Sequence, residues 1–213
     1  MARVLMTGFV PFGGESVNPS WQAVSLLAAR RDEVAAVELP CEFAASLPAL
    51  RRALEEHRPD LVVCVGQAGG RSEVTPERVA INLIDARIPD NAGAQPVDAP
   101  VVPDGPAAYF TTLPVKACVA AIRAAGVPAS VSHTAGTYVC NQVFYGLMHL
   151  LATEFPDVRG GFVHVPFSPE QVAGPGKPAP SLSVDRMAGA LDVLADTASA
   201  VTEDLAVSAG AEH

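Results

Sequence analysis

The stretch Leu61-Val-Val-Cys-Val-Gly-Gln-Ala-Gly-Gly70 decides the fold. Its apolar run has no polar alternation and is dominated by β-branched valine, as in a strand buried on both faces of a helix-covered, parallel sheet. The glycine turn that follows leaves the strand at its carboxyl end, the side on which open α/β sheets gather their sites.

Upstream, Pro59 closes a helix expected over 44–56, and Val34 to Leu39 reads as a strand. Asn18-Pro19-Ser20 carries a helix start, with Asn as cap and Pro in the first turn. Arg3 to Thr7 supplies the first strand, ahead of the loop Gly8-Phe-Val-Pro-Phe-Gly-Gly14.

Downstream, Arg78 to Ile84 reads as a strand and is followed by a polar, Pro-rich passage to Pro106, expected to be irregular or a small hairpin. Val115, Cys118, Val119 and Ile122 then fall at i, i+3, i+4 and i+7, which makes a helix with one buried stripe. A strand over 128–133, a helix over 140–152 and a strand over 161–165 complete the alternation. A Gly/Pro-rich connector over 168–180 is expected to be mobile, a lid near His164. The last helix is expected over 183–206, with Val184, Met187, Leu191, Leu194, Ala198, Val201 and Leu205 on one side. Strand and helix periods alternate from end to end, so the fold class is α/β with a mostly parallel sheet.

The 213 residues suit one domain, and 49% hydrophobic against 17% charged residues suits a large buried core. A formal net charge of −9 repels nucleic acid and anionic membranes, so neither is an expected partner. No run is long enough to cross a bilayer, and the early Gly8 and Pro11 interrupt any signal-peptide core. Cys41, Cys64, Cys118 and Cys140 are widely spaced with no C-x-x-C pair, which argues against a disulfide framework or a zinc knuckle. A reducing cytoplasm is the expected location.

Four loops follow strands and can converge on one rim: 8–14, 66–70, 132–140 and 164–168. Neither glycine loop matches a dinucleotide or Walker pattern. Cys140 falls in the first turn of its helix, where free N–H groups and the macrodipole favour a thiolate and can hold an oxyanion. Cys140, Phe144, Leu147 and Leu151 also share one helical stripe, so spacing alone leaves nucleophile and packed thiol both open. His164 ends an apolar strand, where an imidazole needs a hydrogen bond or a task; His133 competes as the base. Glu77, Asp85 and Asp90 are the carboxylates placed to orient an imidazole.

Taken together, Thr7 to Gly14 with Asn18-Pro19, Gly66 to Arg71, Pro76 to Asn82, Asp85 to Asn91, Ala135 to Asn141 and Gly161 to Pro166 resemble the signatures of type I pyroglutamyl peptidases, in order and over nearly the whole chain. The resemblance implies a single-domain α/β/α sandwich over residues 1–213, commonly a homotetramer, with no metal and no organic cofactor. It implies Cys140 as nucleophile, His164 as general base and acid, and Glu77 as the group that orients the imidazole. The implied reaction is hydrolysis of an N-terminal 5-oxoproline from a peptide through a thioester. The Cys140 N–H and Arg87 would stabilise the oxyanion. Phe9 and Phe12 would face the flat lactam, Gln67 would pair with its amide, and Asn18 would hold Gln67 or the loop. The competing readings are a non-enzymatic small-molecule binding module on the same rim and a cysteine amidase for another acyl group.

Overall fold

The computed structural model describes residues 3–174 and 178–210. Its chain order is β1 (Val4–Phe9), α1 (Pro19–Ala28), β2 (Val34–Leu39), α2 (Ser46–His57), β3 (Leu61–Gln67), β4 (Thr75–Pro76), β5 (Val79–Ile81) and β6 (Ala108–Phe110). It continues with α3 (Val115–Ala124), α4 (Val139–Thr153), β7 (Arg159–Val165), α5 (Pro169–Val172) and α6 (Val184–Ala200).

The central sheet has the order β2-β1-β3-β7-β4, parallel from β2 to β7, with β4 antiparallel at the edge. Adjacent residues of each inner strand point to opposite faces. Met6, Val63, Val65 and Val163 pack with Val24 and Leu27 of α1, Cys118 and Ile122 of α3, and Leu191 and Leu194 of α6. Leu5, Val62, Cys64 and Phe162 pack with Leu50 and Leu54 of α2 and with Phe144, Leu147 and Leu151 of α4. Two apolar layers around one sheet make the α/β/α sandwich that buried valine runs require.

Helix α1 begins as its sequence dictates: Asn18 Oδ1 accepts from Ser20 N at 3.0 Å, with Pro19 in the first turn. Helix α4 is buried nearly all round, and α2 crosses it closely at Gly146, where an added Cβ would lie 2.2 Å from Leu47 Cδ2.

Three expectations are corrected. The strand over 128–133 is reduced to two isolated parallel bridges, Val74 with Ala129 and Glu77 with Ser132. Val74 N donates to Pro128 O, Ser130 N to Val74 O, Ser132 N to Pro76 O and Arg78 N to Ser132 O. The missing rung belongs to Pro76, which has no N–H to give. The strand over 78–84 shortens to β5, which leaves the central sheet and pairs antiparallel with β6. Helix α6 stops at Ala200 rather than continuing to 206, and Leu205 is 42% exposed. Beyond it, Asp204 Oδ1 accepts from Lys116 N at 3.0 Å and Ala117 N at 2.9 Å, so the chain turns aside to cap α3. Of the connector over 168–180, residues 175–177 lie outside the described residues, so its expected motion as a lid does too.

Candidate active site

The sheet reverses its direction of growth at β1, with β2 on one side and β3 on the other. Loops leaving the carboxyl ends at such a switch point spread apart and leave a crevice. Here a cavity of about 660 Å³ is walled by Phe12 after β1, Gln67 at the end of β3 with Ala68 and Gly69 beyond it, His164 and Phe167 from β7 and its exit, the segment 134–138, and Cys140.

Cys140 is the second residue of α4, whose first turn has no side-chain cap from Tyr138. Gln142 N is the first to bond back, to Tyr138 O at 3.1 Å. The N–H groups before it are the orphan donors of a helix start. Two buried amides fix this end of the helix. Asn141 Nδ2 donates to Ile81 O and Leu83 O, both at 2.9 Å, and Gln142 Nε2 donates to Phe43 O at 2.8 Å. The Cys140 sulfur rests on Gly66, where an added Cβ would stand 2.8 Å from Sγ and 2.8 Å from Phe162 Cζ. Gly66 is the sheet partner of His164, so the β3–β7 register brings thiol and imidazole into one cavity.

His164 is 3% exposed. In the antiparallel β4–β7 pair Thr75 stands opposite His164, and Glu77, two residues on and bonded through its N to Phe162 O, is the diagonal neighbour on the same face. Glu77 Oε1 lies 2.7 Å from His164 Nδ1. A carboxylate only accepts, so Nδ1 carries the proton and Nε2 is left as the acceptor of an imidazole that lines the cavity. Burial would raise the Glu77 carboxyl, but the hydrogen bond from His164 and the charge of Arg71 outweigh it and hold the group below the usual range. Burial lowers His164, against the opposing pull of Glu77.

The sequence expectation of a thiol lowered by the helix start is overturned. Burial drives Cys140 up, and the neighbouring Cys41 and Glu77 add to the shift while Arg71 opposes it. Desolvation thus disfavours both the thiolate of Cys140 and the imidazolium of His164, which line the same cavity.

The other candidates separate cleanly. Asp90 is a structural carboxylate: Oδ2 accepts from Phe43 N at 2.7 Å, and Oδ1 from Ala92 N at 3.0 Å and Ala94 N at 2.8 Å. Asp85 and Arg87 are exposed in the cavity wall, with no contact to His164. His133 lines a neighbouring cavity instead. Phe12 stands in the wall as expected, but Phe9 does not. It is 2% exposed, ends β1 on the α2/α4 face and packs on Phe162, so its role is core. Of the two tasks expected of Asn18, holding Gln67 or the loop, the second is the one seen. Its Nδ2 donates to Val10 O at 3.1 Å, which ties the first loop to α1. Gln67 is held by Gln171 of α5, whose Nε2 donates to Gln67 Oε1 at 3.0 Å.

Two residues of this site carry no role in the sequence reading, Gln171 and Arg71. Arg71 Nη1 donates to Glu77 Oε1 at 2.7 Å and Nη2 to Thr134 O at 2.9 Å. The hints available for Arg71 were its position, a cation directly after a glycine loop that leaves a buried strand, and its place in the Gly66 to Arg71 stretch.

Fold and site together define a class: α/β proteins that bring a thiol, a carboxylate-bound imidazole and a free helix N-terminus to the carboxyl edge of a parallel sheet. Comparison narrows the class. The pyroglutamyl peptidase family profile matches residues 2–201, and the chain belongs to that family. It is 63% identical to the pyrrolidone-carboxylate peptidase of Streptomyces coelicolor, with all of both chains covered. Identity to the Bacillus subtilis protein of that name is 51%, over 99% of each chain. The crystal structure of Bacillus amyloliquefaciens pyroglutamyl peptidase I superposes with a TM-score of 0.92 at 52% identity, over 96% of this chain and 100% of that one. The pyrrolidone carboxyl peptidase of Thermococcus litoralis gives 0.91 at 36% identity, over 98% and 100%.

Proposed function

We propose that the protein is a cysteine exopeptidase that hydrolyses the N-terminal pyroglutamyl residue from peptides, with Cys140, His164 and Glu77 as its catalytic group. The observation that carries this reading is the 2.7 Å contact of Glu77 Oε1 with His164 Nδ1 at the cavity that holds Cys140.

Attack begins from a neutral thiol and a neutral imidazole. His164 Nε2 takes the thiol proton as Cys140 Sγ bonds to the pyroglutamyl carbonyl carbon. The free N–H groups at the start of α4 receive the oxyanion, and the exposed guanidinium of Arg87 in the cavity wall adds positive charge. When the C–N bond breaks, the imidazolium gives its proton to the departing amine and a thioester remains. Water then gives a proton to His164 and attacks the thioester, and the acid leaves as Cys140 recovers its thiol. Glu77 keeps the imidazole in one tautomer and offsets the imidazolium charge in both halves. Phe12 offers an apolar face to the lactam ring, and Gln67, steadied by Gln171, a polar partner to its amide.

The experiment is release of aminomethylcoumarin from its pyroglutamyl amide by freshly reduced protein, with the prolyl amide beside it. Turnover of the first alone is expected. Turnover of neither would sink the peptidase reading, and preference for the prolyl amide would make the protein an amidase for another acyl group. The reading extends to a cytoplasmic homotetramer acting without metal or cofactor, on the support of the family resemblance. Sedimentation equilibrium tests the assembly, and a monomer at assay concentration would exclude it.

A further inference from the structure

We propose that Arg71 is a positioning residue of this site: its guanidinium holds Glu77 ionised and aimed at His164, and ties that pair to the segment leading into Cys140. The inference rests on the peptidase reading above. Glu77 is fully buried and its Oε2 has no hydrogen-bond partner among the described residues, while the Ser132 side chain also favours the ionised form, so the close hydrogen bonds of the carboxylate meet at Oε1. Two donors meet there at the same distance, His164 Nδ1 and Arg71 Nη1, each at 2.7 Å. While His164 is neutral, Arg71 is the only cation bonded to that buried charge among the described residues. A buried carboxylate without such a partner takes up a proton, and a protonated Glu77 no longer fixes the Nδ1–H tautomer.

The same guanidinium reaches beyond Glu77. Nη1 also bonds Thr75 Oγ1 on the strand opposite His164, and Nη2 takes Thr134 O at 2.9 Å in the segment that leads to α4. Arg71 follows Gly70, whose φ of 91° turns the glycine loop back over the site. One planar fork therefore joins the β3 loop, β4 and the approach to Cys140, a task for which a lysine has the charge and lacks the geometry. Its charge also opposes protonation of His164. Arg71 thus has two separable effects, on rate through geometry and on the acid limb of activity through charge.

The test uses the pyroglutamyl aminomethylcoumarin amide with Arg71→Gln, Arg71→Lys, Glu77→Gln and the double variant Arg71→Gln/Glu77→Gln. Arg71→Gln is expected to lower kcat by about ten- to a hundredfold with KM changed less than about threefold, as for a group that acts through another. Its acid limb of kcat/KM should move to higher pH, and Arg71→Lys should return the limb while recovering kcat only in part. In the Glu77→Gln background the Arg71→Gln change should cost less than about threefold, because its target is gone. A full loss in that background, an effect on KM alone, or wild-type kcat with an unmoved acid limb each overturns the inference. Should Arg71→Gln fail to fold by circular dichroism, Arg71→Lys decides: reduced kcat supports the proposal and wild-type kcat overturns it. Absence of turnover by the wild-type protein would instead overturn the peptidase reading.

Discussion

Cys140 and His164 differ from the other cysteines and histidines in where their reactive atoms face. Cys64 and Cys118 are fully buried in opposite core layers, their thiols pushed up to about 12 by desolvation alone or chiefly so. Cys140 also has a raised thiol, but it stands in the wall of a cavity that His164 lines too. Cys140→Ser and His164→Ala should each lower kcat by roughly a thousandfold or more, as loss of a nucleophile or its base does, while circular dichroism stays unchanged. Retention of activity by either would remove that residue from the mechanism. The raised thiol and lowered imidazole make a second expectation. Alkylation of Cys140 by iodoacetamide should accelerate with rising pH through neutrality, since no stable thiolate–imidazolium pair forms. A rate that is flat from about pH 5 to 8 would instead reveal such a pair.

At the scale of elements, the site depends on one register and one bare backbone position. The β3–β7 pairing sets Gly66 beside His164, and the absence of a Cβ lets the Cys140 sulfur and the Phe162 ring close over it. Gly66→Ala would bring a methyl to 2.8 Å from Cys140 Sγ and from Phe162 Cζ, so the thiol and the ring must both shift to admit it. We expect that variant to fold with stability reduced by about 1–3 kcal/mol, the range for overpacking a tight site. We expect its turnover to fall more than tenfold; urea titration and the fluorogenic assay read the two effects separately. Most elements were legible from period and caps: α1 from Asn18-Pro19, and β3 from its valine run. Those that were not depend on partners. The segment 128–133 has strand composition but loses a rung to Pro76, and α6 ends early because Asp204 is drawn to the N-terminus of α3. Neither partner adjoins its element in sequence, so no local window contains the reason.

For the whole molecule, the buried ionisable pair links folding to pH. Both Glu77 and His164 have folded values below their unfolded ones. The unfolded chain therefore binds more protons over the interval between the two states, and stability rises with pH there. The His164 contribution is complete above an unfolded value of about 6.5 and is lost as pH falls below it; the Glu77 contribution follows below about 4.3. The midpoint of thermal unfolding should drop steadily from pH 7 to pH 4, and His164→Gln should remove part of the drop between pH 7 and 5. An equal drop in wild type and variant would show that His164 is not coupled to folding.

The sequence by itself determined the layers and the chemistry-bearing types. Unbroken valine strands demand helices on both faces, and Cys140, Glu77, His164, Phe12 and Gln67 stand out through the family their motifs resemble. Tertiary structure decided what those residues meet. It turned Phe9 into the core, gave Asn18 to the first loop and Gln67 to Gln171, and set Arg71 on Glu77. It also reversed the expected direction of the Cys140 thiol, because a helix start acts locally whereas desolvation is set by everything packed around the sulfur. Period and capping are short-range and can be read along a chain; burial and the pairing of charges exist only once distant segments share one cavity.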